Sequence, residues 1–277
     1  MRKNVRTIGT ILTFTILIIF SIMCVYPIVW LFINSFKGNS EIFTNPWGLP
    51  VSWSFVNYIR AIEVGNIGIN FMNSVFITTA AVAISVLLSS MASYGIIRMR
   101  WKLSKFVYSL FLIGMSIPSY AAIVPLFSMF NRLGIINTYA GIIIPHIVFA
   151  FPISIFILSG FFSTIPKELE EAAIIDGCTI LKAFFKIIMP ISVSSIVTVA
   201  VINFINIWND LLFPQIFLSD KNMMPLPVGL TAFNDLYSTD YVGMIAAVVF
   251  TIIPTIIVYI FLHDKIMDGM TAGAVKG

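Results

Sequence analysis

Charged residues are what this 277-residue sequence has least of: Asp, Glu, Lys and Arg make up 10% of it, against 59% hydrophobic residues. An ordinary soluble domain carries roughly a quarter charged residues. The few charges are bunched, which leaves six runs with none, at 7–36, 64–97, 106–131, 133–166, 187–209 and 241–262. That shortage excludes an ordinary water-soluble domain and points to lipid as the solvent. Cysteine is also scarce. Cys24 lies inside the first uncharged run and Cys178 in a polar loop, so no disulfide framework is implied and both read as packing residues. There is no GxxxxGK[ST] pattern, hence no phosphate-cradling loop with which this chain could hydrolyse ATP alone. The two histidines, His146 and His263, are far apart in sequence, no metal-ligand cluster appears, and no serine or cysteine nucleophile has a recognisable base. The chain is therefore expected to be neither an enzyme nor a metal protein. In a soluble protein the net charge of +4 would suggest nucleic acid. Here the basic residues stand at the ends of apolar runs, where membrane orientation accounts for them, and no nucleic-acid partner is expected.

What is present is enough apolar chain for six crossings, since a helix needs about 20 apolar residues to span a bilayer. The expected spans are 8–36, 67–97, 106–131, 139–165, 187–209 and 241–262, with a turn near Arg132 marked by Asn131, Asn137 and Thr138. Arg2, Lys3 and Arg6 precede the first run in the manner of a signal peptide, but a signal core is only about 7–15 residues, so a retained first helix is expected. Twelve basic residues fall on one side of this arrangement: Arg2, Lys3 and Arg6; Arg98, Arg100, Lys102 and Lys105; Lys167, Lys182 and Lys186; Lys265 and Lys276. Only Lys37, Arg60, Arg132 and Lys221 fall on the other. The positive-inside rule then places both termini in the cytoplasm. Trp30, Trp47, Trp53, Trp101 and Trp208 lie near the expected interfaces. Pro118, Pro125, Pro145, Pro152 and Pro254 fall inside spans, where each frees a backbone carbonyl and marks either a broken helix beside a cavity or a packing kink. The fold class expected is an all-α membrane protein with six transmembrane helices, forming one domain over 1–277.

The polar loop at 166–186 is the most informative segment. Pro166 suits a first helical position, and Glu168, Glu170 and Glu171 complement the dipole of a short helix. Leu169, Ala172, Ala173 and Asp176 recur at helical spacing, and the paired alanines would let another surface approach closely. Gly177 is placed to stop that helix in the left-handed conformation, and Thr179 to cap a second one carrying Phe184, Phe185 and Ile188. Pro190 then opens the fifth span. The pattern EAA, two residues, DG, nine residues, I, two residues, P is met by Glu171, Ala172, Ala173, Asp176, Gly177, Ile187 and Pro190. It resembles the signature loop of permease subunits in binding-protein-dependent ABC importers. The stretch after the first span (SFKGNSEIFTNPWGLP), PLPVGLTAF in the last outer loop and the terminal GMTAGAVKG look like the carbohydrate branch, the maltose-permease type. Cys178 stands where that family more often has alanine.

The resemblance implies a type I ABC importer permease fold and a bacterial cell-membrane location. It implies a second, different permease subunit, two ATPase subunits that bind the ATP and magnesium, and an extracellular solute-binding protein, with no cofactor in this chain. The first loop helix would dock in a cleft of the ATPase, with Glu171 as polar anchor, Ala172 and Ala173 allowing close packing, and Gly177 shaping the turn. Gly273, Ala274, Val275, Lys276 and Gly277 would reach toward the same partner. Asn73, Ser119, Tyr120, Asn203, Asn206, Trp208 and Asn209 are candidates to line the substrate path, because amides and aromatics suit sugar hydroxyls and ring faces. The alternative use of such amides is to hold helices together. The absence of Lys and Arg within the spans argues against a phosphorylated sugar and fits an oligosaccharide. Two other readings compete with this one. An ion-coupled secondary carrier would place ionisable groups within the membrane, where the runs offer only His146. A scaffold or sensor would not account for the loop.

Overall fold

The structure, a computed structural model, describes residues 2–99, 101–233 and 239–274. Arg100, Val275, Lys276 and Gly277, assigned roles above in orientation or partner contact, lie outside the described residues. All the elements of the described residues are helical. The principal ones are α1 (Arg2–Asn34), α2 (Val56–Val64), α3 (Ile67–Arg98), α4 (Ser104–Gly114), α5 (Ile123–Arg132), α6 (Tyr139–Phe162), α7 (Glu168–Ile175), α8 (Ile180–Ala183), α9 (Val193–Trp208), α10 (Leu212–Phe217) and α11 (Tyr241–Ala274). Four helical stretches, Gly9–Asn34, Ile67–Arg98, Tyr139–Phe162 and Tyr241–Lys265, are long and apolar enough to cross a bilayer. Two bent pairs, Ser104–Gly114 with Ser119–Arg132 at 90° and Ile180–Ile191 with Val193–Trp208 at 79°, bring the number to six if each pair is one span.

The bends show which prolines break a helix. Pro118 does: its φ of −65° and ψ of 120° are extended, and the chain turns there between α4 and α5. Pro145 and Pro152 lie within a continuous α6, and Pro254 within a continuous α11. Pro125 falls in the first turn of α5, where its missing N–H is an orphan anyway. The third run is therefore two helices at a right angle rather than the single helix expected over 106–131. The second bend follows a wide π turn at Phe184–Ile188 and falls at Ser192, whose hydroxyl donates to the Ile188 carbonyl at 2.7 Å.

The chain divides into two compact units. The first comprises Met1–Ile67 and Leu230–Ile253. In it, α1 exposes apolar side chains along its length, from Ile11 to Phe32, as a helix meeting lipid or another apolar helix would. The connection after α1 is held by buried polar contacts. Asn57 donates to the Ser35 and Lys37 carbonyls at 2.8 and 2.7 Å, and buried Lys37 donates to the Asn45 carbonyl at 2.6 Å. Asp240 caps α11 by accepting from Gly243 N at 3.1 Å and pairs with Arg60 at 2.8 Å. Partial burial pushes the Asp240 carboxyl up, but the Arg60 guanidinium and the Gly243 and Asn39 N–H donors outweigh it and hold the group below the usual carboxylate value.

The second unit comprises Gly68–Gly229 and Pro254–Gly277. Here α6 packs against α4 and α9. Its core has two clusters, one around Ile77, Ile142, Phe213 and Phe217 and one around Val86, Leu158, Phe162, Phe184 and Ile188. Small residues permit the close approaches. Ser85, Ser89, Ser90 and Ser93 on α3 are fully buried, and a Cβ on Gly114 of α4 would meet the Pro152 ring of α6 at 3.3 Å.

Candidate functional site

Two features of the second unit bear on function: the loop after α6 and a cavity between α4, α6, α9 and α10. The loop is fixed at its root. Arg98, the last residue of α3, donates to the Ile165 carbonyl at 2.8 Å and to those of Phe162 and Pro166 at 3.3 Å. Its Nε also meets Glu170 Oε2 of α7 at 2.7 Å. The Arg98 side chain is 4% exposed and that of Glu170 12%. In the sequence Arg98 is one of the orientation charges and nothing more. Its place at the very end of an apolar run, facing a loop of three glutamates, was the available signal.

The helix itself ends as its sequence suggests. Gly177 has φ +82°, Gly177 N donates to the Ile174 carbonyl at 3.0 Å and Cys178 N to the Ala173 carbonyl at 2.9 Å. That is the paired bonding of a Schellman stop. Thr179 caps α8 by accepting from Lys182 N at 3.3 Å. Two expectations are corrected. Pro166 does not occupy the first helical position, since α7 begins at Glu168, and the Pro166 carbonyl instead accepts from Arg98. Ala173 is buried while Ala172 is exposed, so the paired alanines do not present one face. The exposed residues of α7 are Glu168, Leu169, Glu171, Ala172, Ile174 and Ile175, followed by the cap Asp176, with Ile175 84% exposed. Of the motif's second arm, Ile187 is half-buried and Pro190 exposed, while Phe184 and Ile188 sit in the core and Phe185 is exposed. Gly273 and Ala274 fall in the last turn of α11.

The cavity has a volume of about 430 Å³, within the range of small-molecule sites. Its polar lining is Ser119, Tyr120, His146, Asn203, Asn206 and Asp210. The break at Pro118 brings Ser119 and Tyr120 to the wall. Four of the seven path candidates are thus together: Ser119, Tyr120, Asn203 and Asn206. The other three do not line the cavity. Asn73 donates to the Asn222 and Met224 carbonyls at 2.7 and 3.1 Å and accepts from the Tyr139 hydroxyl at 2.8 Å. Trp208 is buried and stacked on Phe204 with centroids 5.4 Å apart. Asn209 is exposed and donates to the Ile205 carbonyl at 2.8 Å. Asn203, though at the wall, ties three helices by donating to Ser154 Oγ at 3.0 Å and Ser85 Oγ at 3.3 Å.

Asp210 and His146 were not among the path candidates. Asp210 is one residue beyond the fifth uncharged run, and it looked like the first residue of an aqueous loop. Of the apolar stretch that follows, LFPQIF folds as α10 and returns the chain to the core, and Asp210 is buried. His146 therefore has a carboxylate neighbour at 3.6 Å, supplied from just outside the fifth uncharged run.

The family model for binding-protein-dependent transport system inner membrane components matches residues 85–266. Among curated proteins, the chain is 35% identical over 98% of its length to the probable ABC transporter permease protein YurM of Bacillus subtilis (strain 168), covering 90% of that protein. It is 34% identical over 94% of its length to the diacetylchitobiose uptake system permease protein NgcG of Streptomyces coelicolor, covering 87% of it. Among solved structures, a chain of a bacterial ABC transporter involved in the import of the acidic polysaccharide alginate superposes with a TM-score of 0.81 at 24% identity, covering 93% of this chain and 96% of that one.

Proposed function

Because the chain belongs to the family of binding-protein-dependent transport system inner membrane components, we propose that it forms half of the membrane path of an ATP-driven oligosaccharide importer and couples that path to an ATPase through the loop at 166–186. As a member of the family it is a multi-pass bacterial membrane protein and a permease subunit that works with ATPase and binding-protein partners. In this reading each bent pair counts as one span. The chain crosses the membrane six times as a single transmembrane domain, with both termini in the cytoplasm where the basic residues concentrate. Its partners are a second, different permease subunit, two ATPase subunits that hold ATP and magnesium, and an extracellular binding protein that delivers the sugar. This chain holds no cofactor and does no catalysis.

The observation that carries the reading is α7. It is a short helix with an exposed row of Leu169, Ala172 and Ile175 beside Glu171 and Asp176, stopped by a left-handed Gly177. Arg98 binds its root to the end of α3. A push on α7 would thus be passed to a long helix rather than absorbed by a slack loop. The sugar assignment is supported by the uptake named for NgcG and by a cavity whose lining combines aromatic rings with two amides and two hydroxyls. Residues 273–277 are proposed to reach toward the ATPase, and their removal is expected to lower stimulated ATP hydrolysis while insertion into the membrane continues. The test is reconstitution in vesicles with the partner subunits. Sugar uptake that requires both ATP and the binding protein is expected. Uptake by this chain without ATP would overturn the reading in favour of an ion-coupled carrier.

A further inference from the structure

One stretch of apolar chain has no place in the six crossings. Residues 42–59 carry no Asp, Glu, Lys or Arg, and they belong to the connection that follows α1 in the first unit. Large side chains of this stretch are turned outward. Trp47 is 74% exposed and Val51 88%, with Leu49, Trp53 and Phe55 exposed beside them. Part of the stretch is anchored from beneath, since buried Phe36 lies 5.2 Å from the Trp53 ring and 5.3 Å from that of Phe55. The stretch also folds back along α1. The Trp30 indole donates to the Pro46 carbonyl at 2.8 Å. The Trp47 ring stands 6.3 Å from that of Trp30 and is stacked on that of Tyr26 at 6.2 Å. Tyr26 is about two turns before the end of α1 at Asn34, about 12 Å along the axis. Trp47 is therefore level with a part of α1 whose own side chains, such as Tyr26 and Val29, are exposed.

Chain that lies against lipid has to satisfy its own polar groups. Here Asn45 Oδ1 accepts from Gly48 N at 3.0 Å, and its Nδ2 donates to the Leu49 carbonyl at 3.2 Å. Glu41 Oε1 accepts from Val51 N at 2.8 Å, Lys37 Nζ covers the Asn45 carbonyl, and Pro46 and Pro50 have no N–H to satisfy. The run offers no charge with which to orient a water-soluble partner, while exposed tryptophans suit the boundary between lipid and water. We propose that residues 42–56 form a strap immersed in the membrane–water interface on the outer side, lying along the lipid-facing side of α1 with Trp47, Leu49 and Val51 turned into the outer leaflet. Contact with lipid follows from the strap's place beside α1. The choice of leaflet rests on the orientation proposed above.

The experiment uses the assembled transporter in lipid vesicles, with Cys24 and Cys178 replaced by Ser. One nitroxide is attached through Leu49→Cys or Val51→Cys, or through Glu63→Cys, an exposed charged position of α2 that serves as the aqueous reference. Electron paramagnetic resonance reads collisions of the label with oxygen, which concentrates in lipid, and with a water-soluble nickel chelate. The ratio of oxygen to chelate collisions at 49 and 51 is expected to be several-fold higher than at 63. A ratio equal to the reference places the labels in water and overturns the strap. Few collisions with either agent at 49 and 51 overturn it in favour of a protein partner covering the segment. Orientation is read separately, with a membrane-impermeant maleimide. Labelling of Glu63→Cys from the side opposite the ATPases supports the outer leaflet, and labelling from the ATPase side alone overturns the orientation and the leaflet with it. The label-free protein gives a second reading. Lipids brominated in the acyl chain near the headgroup are expected to quench wild-type tryptophan emission more than that of Trp47→Phe, and equal quenching in the two overturns the immersion of Trp47.

Discussion

Glu170 and Asp210 are both largely buried carboxylates of the same compact unit, and the chain treats them differently. Glu170 is met by the guanidinium of Arg98, which also gathers three carbonyls at the loop's root. Among the described residues no Lys or Arg pairs with Asp210; its basic neighbour is His146 at 3.6 Å, and the residue lines a cavity. A buried charge needs a partner. Where the chain supplies it, as for Glu170, the result is a joint between α3 and α7. Where no Lys or Arg stands beside the acid, as at Asp210, the chain holds one oxygen with the Leu212 N–H and the Tyr120 hydroxyl instead. The same contrast separates Asn203, whose amide is engaged with Ser85 and Ser154, from Asn206, which lines the cavity and is exposed.

The sharpest way to break the contrast is to remove the cation. Arg98→Ala leaves Glu170 as an uncompensated carboxylate and is expected to cost about 3 kcal/mol, seen as a lower melting temperature in detergent. Adding Glu170→Gln should return most of that loss, because the uncompensated charge goes with it. A double variant no more stable than Arg98→Ala would deny the joint. Next in size is Gly177→Ala, which forces a side chain into the left-handed region and is expected to cost about 1–2 kcal/mol. Since Gly177 is exposed, the chain should still insert, with lower ATPase stimulation in the assembled transporter. Asn203→Ala, which removes an amide used for packing, should cost about 1 kcal/mol and leave the apparent sugar affinity in uptake assays near wild type. A large rise in the half-saturating concentration would move Asn203 to the ligand-facing group.

Asp240 extends the comparison to an exposed pair in the other unit, and the smallest effect is expected there. Its folded value lies below the ordinary carboxylate value, so its contribution is fully present above that ordinary value, about 3.9, and is lost as pH falls through the folded one. Asp240→Asn should cost about 0.5 kcal/mol at pH 7. The difference in melting temperature from wild type should close below about pH 4.

The long elements were legible because each rests on a property local to the sequence. Uncharged runs gave α1, α3, α6 and the apolar part of α11, Gly177 gave the left-handed stop, and Thr179 gave the cap. What stayed hidden depends on neighbours. Pro118, Pro145 and Pro152 look alike in sequence, yet only Pro118 breaks its helix, while Pro152 packs its ring against Gly114 inside a continuous α6. Arg98 reads as one more interfacial charge until the loop folds back onto it. Asp210 reads as loop because the turn that buries it is made by α10, which is too short to announce itself by periodicity. The alanine pair shows the opposite limit, where a motif was found but the direction of its side chains followed from helix geometry rather than from the motif.

The most direct test of the coupling claim is affinity purification in mild detergent, wild type beside Ala172→Arg, with mass spectrometry of what is retained. The wild type should bring a second permease and an ATPase. The variant, altered only on the exposed row of α7, should keep the permease and lose the ATPase. Recovery of the wild-type chain alone, or of the ATPase undiminished with Ala172→Arg, would contradict the assignment of α7 as the surface through which ATP drives this permease.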